Sequence, residues 1–194
     1  MRQSVTKDLY AYWSNLKGAR SAPDRSDIDP AAIRHVLADT FIIEIDPACR
    51  FPIRLCGTRV NALWLHERKG DSFLDLWRDE DKRNVAQALL TVIDGATPLV
   101  AGVRTRPVEG FHALDMEMLL LPLRHFGKTH SRLLGSLTHS GQPDWIGRMP
   151  ATPLQLQSMR VISASEARSA ATAGRRVRAR PHLVVHQGGK AAEN

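Results

Sequence analysis

The chain predicts an α+β fold built on an antiparallel sheet of five strands. Two observations carry this. Strand-like blocks flank one long amphipathic helix, and the last three extended runs are joined by connections too short for a parallel crossover. A third, an aromatic-bearing helical stretch ahead of the first strand, places two N-terminal helices before the sheet.

Residues 4–17 read as a helix, with Val5, Leu9, Tyr12, Trp13 and Leu16 on one side and Gly18 just past the end. That aromatic stripe needs a cover, either the chain's own sheet or a second copy. A polar connector, 19–28, leads to Asp29-Pro30, an N-cap followed by proline at the first helical position. Ile33, Val36 and Leu37 then predict a short second helix. Phe41 to Ile45 is a strand, Asp46-Pro47 a turn, and Phe51 to Cys56, apolar at its odd positions, the return strand of a hairpin. Gly57 ends it, and Thr58 is the N-cap expected for a short helix carrying Val60, Leu63 and Trp64.

Phe73, Leu74, Leu76 and Trp77 crowd large apolar groups into a few residues and read as a buried plug. Asp79 is the expected N-cap of the long helix, with Glu80 and Asp81 adding negative charge at the positive end of its dipole. Val85, Ala88, Leu89, Val92 and Ile93 form its apolar stripe, and Gly95 is expected to supply the left-handed residue that ends it. Beyond it Leu99, Ala101 and Val103 alternate in one strand. Leu114, Met116, Met118 and Leu120 alternate in a longer one, with Asp115 and Glu117 on the opposite face, and the run from Arg132 to Thr138 is the last. The loops 107–111 and 125–130 are short enough for antiparallel links.

Of the formal net charge of +7 over 194 residues, residues 150–194 carry +5, so the basic character belongs mainly to the C-terminal stretch. Cys49 and Cys56 sit at two ends of an extended run, too far apart to bridge, so nothing calls for an oxidising compartment. No apolar run approaches the ~20 residues of a membrane span, and the N-terminus has no signal-like core. The expectation is a soluble cytoplasmic protein divided into an N-terminal helical extension (1–38), a central domain (39–140) and a flexible basic tail (141–194).

The order of elements, with Phe73-Leu74-Asp75-Leu76-Trp77 running into Asp79-Glu80-Asp81-Lys82-Arg83, resembles a PAS domain. Several blocks are similar to the alphaproteobacterial PAS family of small free-standing proteins: Leu9 to Trp13, Ala22 to Pro30, Arg54 to Arg59, and Glu117 to Leu123, with a further short block from Arg178 to Leu183. The resemblance implies a PAS-like five-stranded antiparallel sheet with helices on one face and a sensory or protein-interaction role in signal transduction. It brings no ligand or catalytic residue with it.

Candidate chemistry is thin. Cys49-Arg50-Phe51 looks like the tripeptide of photoactive flavin-binding PAS domains, but it falls at a hairpin turn instead of on a helix, and the asparagines and glutamines that hold a flavin are missing. Haem needs an axial ligand on the pocket side, and His66, the nearest candidate, reads as a surface or capping residue. His182 and His186 flank the strand-like Leu183-Val184-Val185, which separates the rings by about 13 Å, so metal is disfavoured with flavin and haem. Asp75, Asp79, Glu80 and Asp81 are explained by capping. No phosphate loop, dinucleotide fingerprint or nucleophile elbow is present, and the chain reads as no enzyme.

The interior is the better candidate. Leu63, Trp64, Phe73, Trp77, Leu90, Ile93, Met116 and Met118 are expected to line it, as a filled core or around a small apolar ligand. Leu9, Tyr12 and Trp13 are the candidate interface for a homodimer or partner protein. The functional expectation is a cytoplasmic sensory or regulatory protein acting through protein–protein association. The alternative is a nucleic-acid-associated protein that contacts phosphates through Arg175, Arg176, Arg178 and Arg180.

Overall fold

The computed structural model describes residues 1–106, 112–125, 128–141 and 143–162. The arginine run 175–180, His182, His186, the strand-like 183–185, the block 178–183 and the loop 107–111 lie outside the described residues. Among those described, one antiparallel sheet carries six strands: β1 (Thr40–Glu44), β2 (Ile53–Cys56), β3 (Leu99–Arg104), β4 (Asp115–His125), β5 (Lys128–His139) and β6 (Gln155–Val161), in the order β2-β1-β5-β4-β3-β6. The expected antiparallel α+β architecture is present. Its strand count is six instead of five, because β6 pairs with β3 from Leu99↔Val161 to Arg104↔Gln155. The stretch 141–194, expected to be a flexible tail, therefore gives its first part to the body.

Three α-helices accompany the described sheet: α1 (Ser4–Lys17), α2 (Thr58–Ala62) and α3 (Asp79–Asp94). They do not share a face. Strand alternation sends Phe41, Ile43, Met116, Met118 and Leu120 into a core roofed by α2 and α3, and sends Ile42, Leu119, Leu121 and Leu123 into a second core under α1. The expectation of helices on one face is corrected accordingly: the N-terminal extension covers the back of the sheet. Near-continuous apolar runs such as Leu119-Leu120-Leu121 follow from burial on both faces.

The predicted second N-terminal helix is absent. Asp29 does cap, its Oδ1 accepting from Ala31 N at 2.9 Å, but the chain passes through turns (Ile33 N to Pro30 O, Val36 N to Ile33 O) into a 3-10 turn over Leu37–Asp39. The constraint is Gly57. Its α-carbon packs on the carbonyls of Leu37 and Ala38, where a Cβ would collide, and Gly57 N donates to Thr40 O at 2.8 Å.

Two ends of α3 also differ from expectation. Its N-cap is Arg78, whose N–H donates to Leu154 O at 3.1 Å, while Asp79 points outward to Lys82 at 2.8 Å. Gly95 stays right-handed, and the positive φ falls on Ala96 at 48°.

Candidate functional site

The plug sits on a 3-10 turn over Phe73–Leu76. Ser72 anchors it by accepting from Leu74 N at 3.2 Å and donating to Arg50 O at 2.6 Å. That turn drops Phe73, Leu76 and Trp77 beneath α3. Phe73 lies 5.2 Å from the Phe41 ring and 6.0 Å, edge-on, from Trp77. Gly135 of β5, paired with Phe41, has no side chain, and the Phe41 ring fills the space where its Cβ would lie.

The sequence-predicted interior residues come together. Leu63, Trp64, Phe73, Trp77, Ile93, Met116 and Met118 are all buried in this one cluster, and Leu90, half-buried, packs at its margin. One polar group stands out among them: the buried Trp77 Nε1–H has no acceptor. A cavity of about 10 Å³ lies at the end of β3, lined by Thr105, His112, Trp145 and Ala151 among others, enough for little more than one water.

The rim is set by charge. The Arg68 guanidinium stacks 5.1 Å over Trp64 and reaches Asp71 at 3.2 Å. His66 uses Nδ1 against Trp64 O at 2.8 Å, consistent with a capping residue. Burial pushes the Cys56 thiol up to about 12, whereas Cys49 is exposed at the hairpin turn; both are free. Among the described residues no group of three or more His, Cys, Asp or Glu could hold a metal ion, and no helix is long and apolar enough to cross a membrane.

The predicted interface residues are used within the chain. Leu9 and Trp13 are buried against the chain's own sheet, and Trp13 Nε1–H donates to Pro122 O at 2.8 Å, a carbonyl left open because β3 stops pairing with β4 at Leu99↔Leu120. Tyr12 is half-buried, with its hydroxyl accepting from Asp29 N at 2.7 Å. Glu117, from the outer face of β4, receives Arg2 N at 2.7 Å and Gln3 N at 3.1 Å at the otherwise uncapped start of α1. Each large apolar group so buried contributes about 2 kcal/mol. An interface on this face of α1 would first have to strip the helix from the sheet.

Sequence reasoning missed the segment that closes the interior. From 143 to 162 the chain runs as a strap across the core. Trp145, Ala151 and Leu154 enter the apolar cluster, and Leu154 pairs with Trp77 in a parallel bridge, its N–H donating to Leu76 O at 2.8 Å. Asp81, 6% exposed, locks the next turn: its Oδ2 accepts from Arg78 Nε at 2.6 Å and Leu156 N at 2.9 Å. Burial raises the Asp81 carboxyl, but these two donors outweigh it and hold it below its ordinary 3.8. Leu154 and Leu156, alternating beyond Pro153, were the sequence signal for an added strand.

A family model described as a PAS domain matches residues 1–138. No curated protein matches. Among solved structures the chain is similar to the Rhodobacter sphaeroides LOV protein, at 14% identity and a TM-score of 0.42 over 54% of this chain and 60% of that one. It is similar to an RNA-binding Light-Oxygen-Voltage receptor at 13% identity and a TM-score of 0.44, covering 61% of this chain and 34% of that one. A third is the PAS domain of a Colwellia psychrerythraea protein, at 14% identity and a TM-score of 0.43, covering 57% and 97%. The chain thus spans less than two thirds of the length of the first two of these. With the family model covering most of the chain and the antiparallel sheet in place, the protein belongs to the PAS domain family, whose members serve sensory and regulatory roles.

Proposed function

We propose that this protein is a cytoplasmic sensory or regulatory protein, and not an enzyme, that signals by associating with a partner protein or a second copy, with or without a small apolar ligand in its interior. The observation that carries this reading is the strap. The Trp77–Leu154 bridge and the Asp81–Leu156 hydrogen bond tie the plug and the start of α3 directly to β6, an edge strand with exposed side chains. A shift of the plug, such as an acceptor arriving at the unpaired Trp77 N–H would cause, moves the segment that forms the sheet edge.

Native mass spectrometry of the protein purified from its own cell tests the proposal, since it reports retained small molecules and assembly together. The expected result is an assembly larger than the 21.6 kDa chain, with or without added ligand mass. A bare monomer at cellular concentration refutes it.

A further inference from the structure

β6 is the one element of the sheet lying wholly beyond the residues matched by the family, and it forms an edge. The opposite edge is covered: β2 is four residues long, and the chain from Gly70 to Phe73 bonds along it (Gly70 N to Ile53 O, Ile53 N to Asp71 O, Phe73 N to Phe51 O). The first half of β6 is likewise occupied, by Leu76, Arg78 and Asp81 at Leu154 and Leu156.

Its second half is different. The pairing with β3 shifts register between Gly102 and Val103, so the bulge at Gln157 resets which backbone groups face outward. Ile162 N donates inward to Pro98 O at 2.8 Å. Strand alternation therefore turns the N–H and C=O of Met159 and Val161 away from β3. The same two residues are 42% and 46% exposed, two of the four large exposed hydrophobic side chains among the described residues, and both lie on the face of Ala101 and Leu99, their β3 partners. The segment Gln157 to Val161 holds no proline and one charge, Arg160, and its bulge lies at one end, so beyond Gln157 the edge runs in regular register.

We infer that Gln157 to Val161 pairs antiparallel with the same segment of a second copy, joining two six-stranded sheets edge to edge. This rests on the reading that the protein works by association, and it names the partner. Residues opposed across an antiparallel seam share a face and, when hydrogen-bonded, both point their backbone groups across it. A twofold axis at Met159 meets both conditions at its centre, where Met159 opposes Met159; Val161 then lies across from the bulge residue Gln157, and Arg160 opposes Ser158 instead of its own copy. The four apolar side chains then cover one another. A single charge gives a strongly charged peptide nothing to select, whereas this edge is complementary to itself. Because the β2 edge is covered, pairing closes at two copies instead of growing into a fibre.

The test is the mass of the full chain by sedimentation or light scattering over a concentration series, beside Met159→Pro and Met159→Lys. Proline at 159 removes an outward N–H without touching the β3 ladder, and lysine places like charges at the axis. The wild type is expected near twice 21.6 kDa at high concentration, with both variants at half that mass and wild-type circular dichroism. Met159→Cys in a Cys49→Ser background should cross-link to a dimer on oxidation, while Leu65→Cys in the same background should not. A wild type monomeric at every concentration, or a dimer indifferent to both substitutions, overturns the inference. A monomer bound to a different protein in the cell overturns it too, yet leaves the proposed function standing. Dimer loss on deleting residues 163–194 with β6 intact assigns the seam to the tail and overturns it as well.

Discussion

Replacing Asp81 with alanine should loosen the strap more than the sheet. The carboxylate holds Leu156 N at 2.9 Å and Arg78 Nε at 2.6 Å in a site where its own side chain is 8% exposed. Losing a hydrogen bond from a backbone N–H to a charged acceptor costs about 1.5–3 kcal/mol. The Arg78 half is a third exposed and solvent-screened, so it adds less than about 1 kcal/mol. Near 3 kcal/mol in total, the change should lower Tm by roughly 6–12 °C for a body of this size. It should also speed amide exchange at Leu156 and Ser158 by about 100-fold, with the β4–β5 ladder least affected. The pH dependence has a definite sign. A carboxyl held below 3.8 in the folded state contributes stability that is fully present above that pH and is lost as pH falls below it, so variant and wild type should converge in acid. Hydrogen exchange read by mass spectrometry checks the local effect. Unchanged exchange in β6, or a melting point within about 2 °C of wild type at neutral pH, would refute the reasoning.

Three further outcomes follow from single contacts. Trp13→Phe keeps an aromatic ring but removes the pyrrole half of the indole and strands the Pro122 carbonyl, so urea unfolding should show a loss of at least about 1–3 kcal/mol; an unchanged midpoint would mean that the indole bond adds nothing. Thiol labelling of the native protein at pH 8 should modify Cys49 and spare Cys56, whose thiol stays protonated below about 12, and rapid labelling of two equivalents contradicts that burial. Ala96→Gly relieves a positive φ of 48° and should raise stability by about 1 kcal/mol, a sign that thermal melting reads directly.

How much of this was legible depended on whether a residue's role was local. The 3.6-residue periodicity of Leu9 and Trp13, and of Val85, Leu89 and Val92, predicted α1 and α3, and the alternation of Met116, Met118 and Leu120 predicted β4 and its inner face. The interior residues gathered as expected because size and period select them. Long-range demands defeated the reading elsewhere. Nothing near Ile33 announces that Gly57, twenty-four residues on, must pack against Leu37 and Ala38, and so a short helix gave way to turns. Asp79 obeyed the local capping rule, yet the partner of Arg78 N is Leu154, and the carboxylate that matters is Asp81. β6 escaped notice because its bulge breaks the alternation between Leu156 and Met159 and because polar Gln155, Gln157 and Ser158 suit an edge.

The two cores differ in what they can transmit. Under α1 the apolar contacts of Leu9 and Trp13 are reinforced by polar ties at both ends, Glu117 to the N-terminus and Pro122 to Trp13, and both partners of each tie are already satisfied within the chain. The roof of α2 and α3 is closed by a segment of different character. Its backbone is bonded to Leu63, Leu76 and Arg78, it bridges the plug at Trp77, and it continues without a break into β6, which pairs with β3 along its length. The backbone ties of this segment thus join the plug and the start of α3 to β6 directly. Asp81 sits at that junction, fastening the start of α3 to Leu156, and the length of chain between this lock and the free edge at Met159 is three residues. If a second copy pairs at that edge as proposed, Asp81→Ala should weaken the dimer as well as the strap, and a dimer of unchanged affinity in that variant would show that the two are independent.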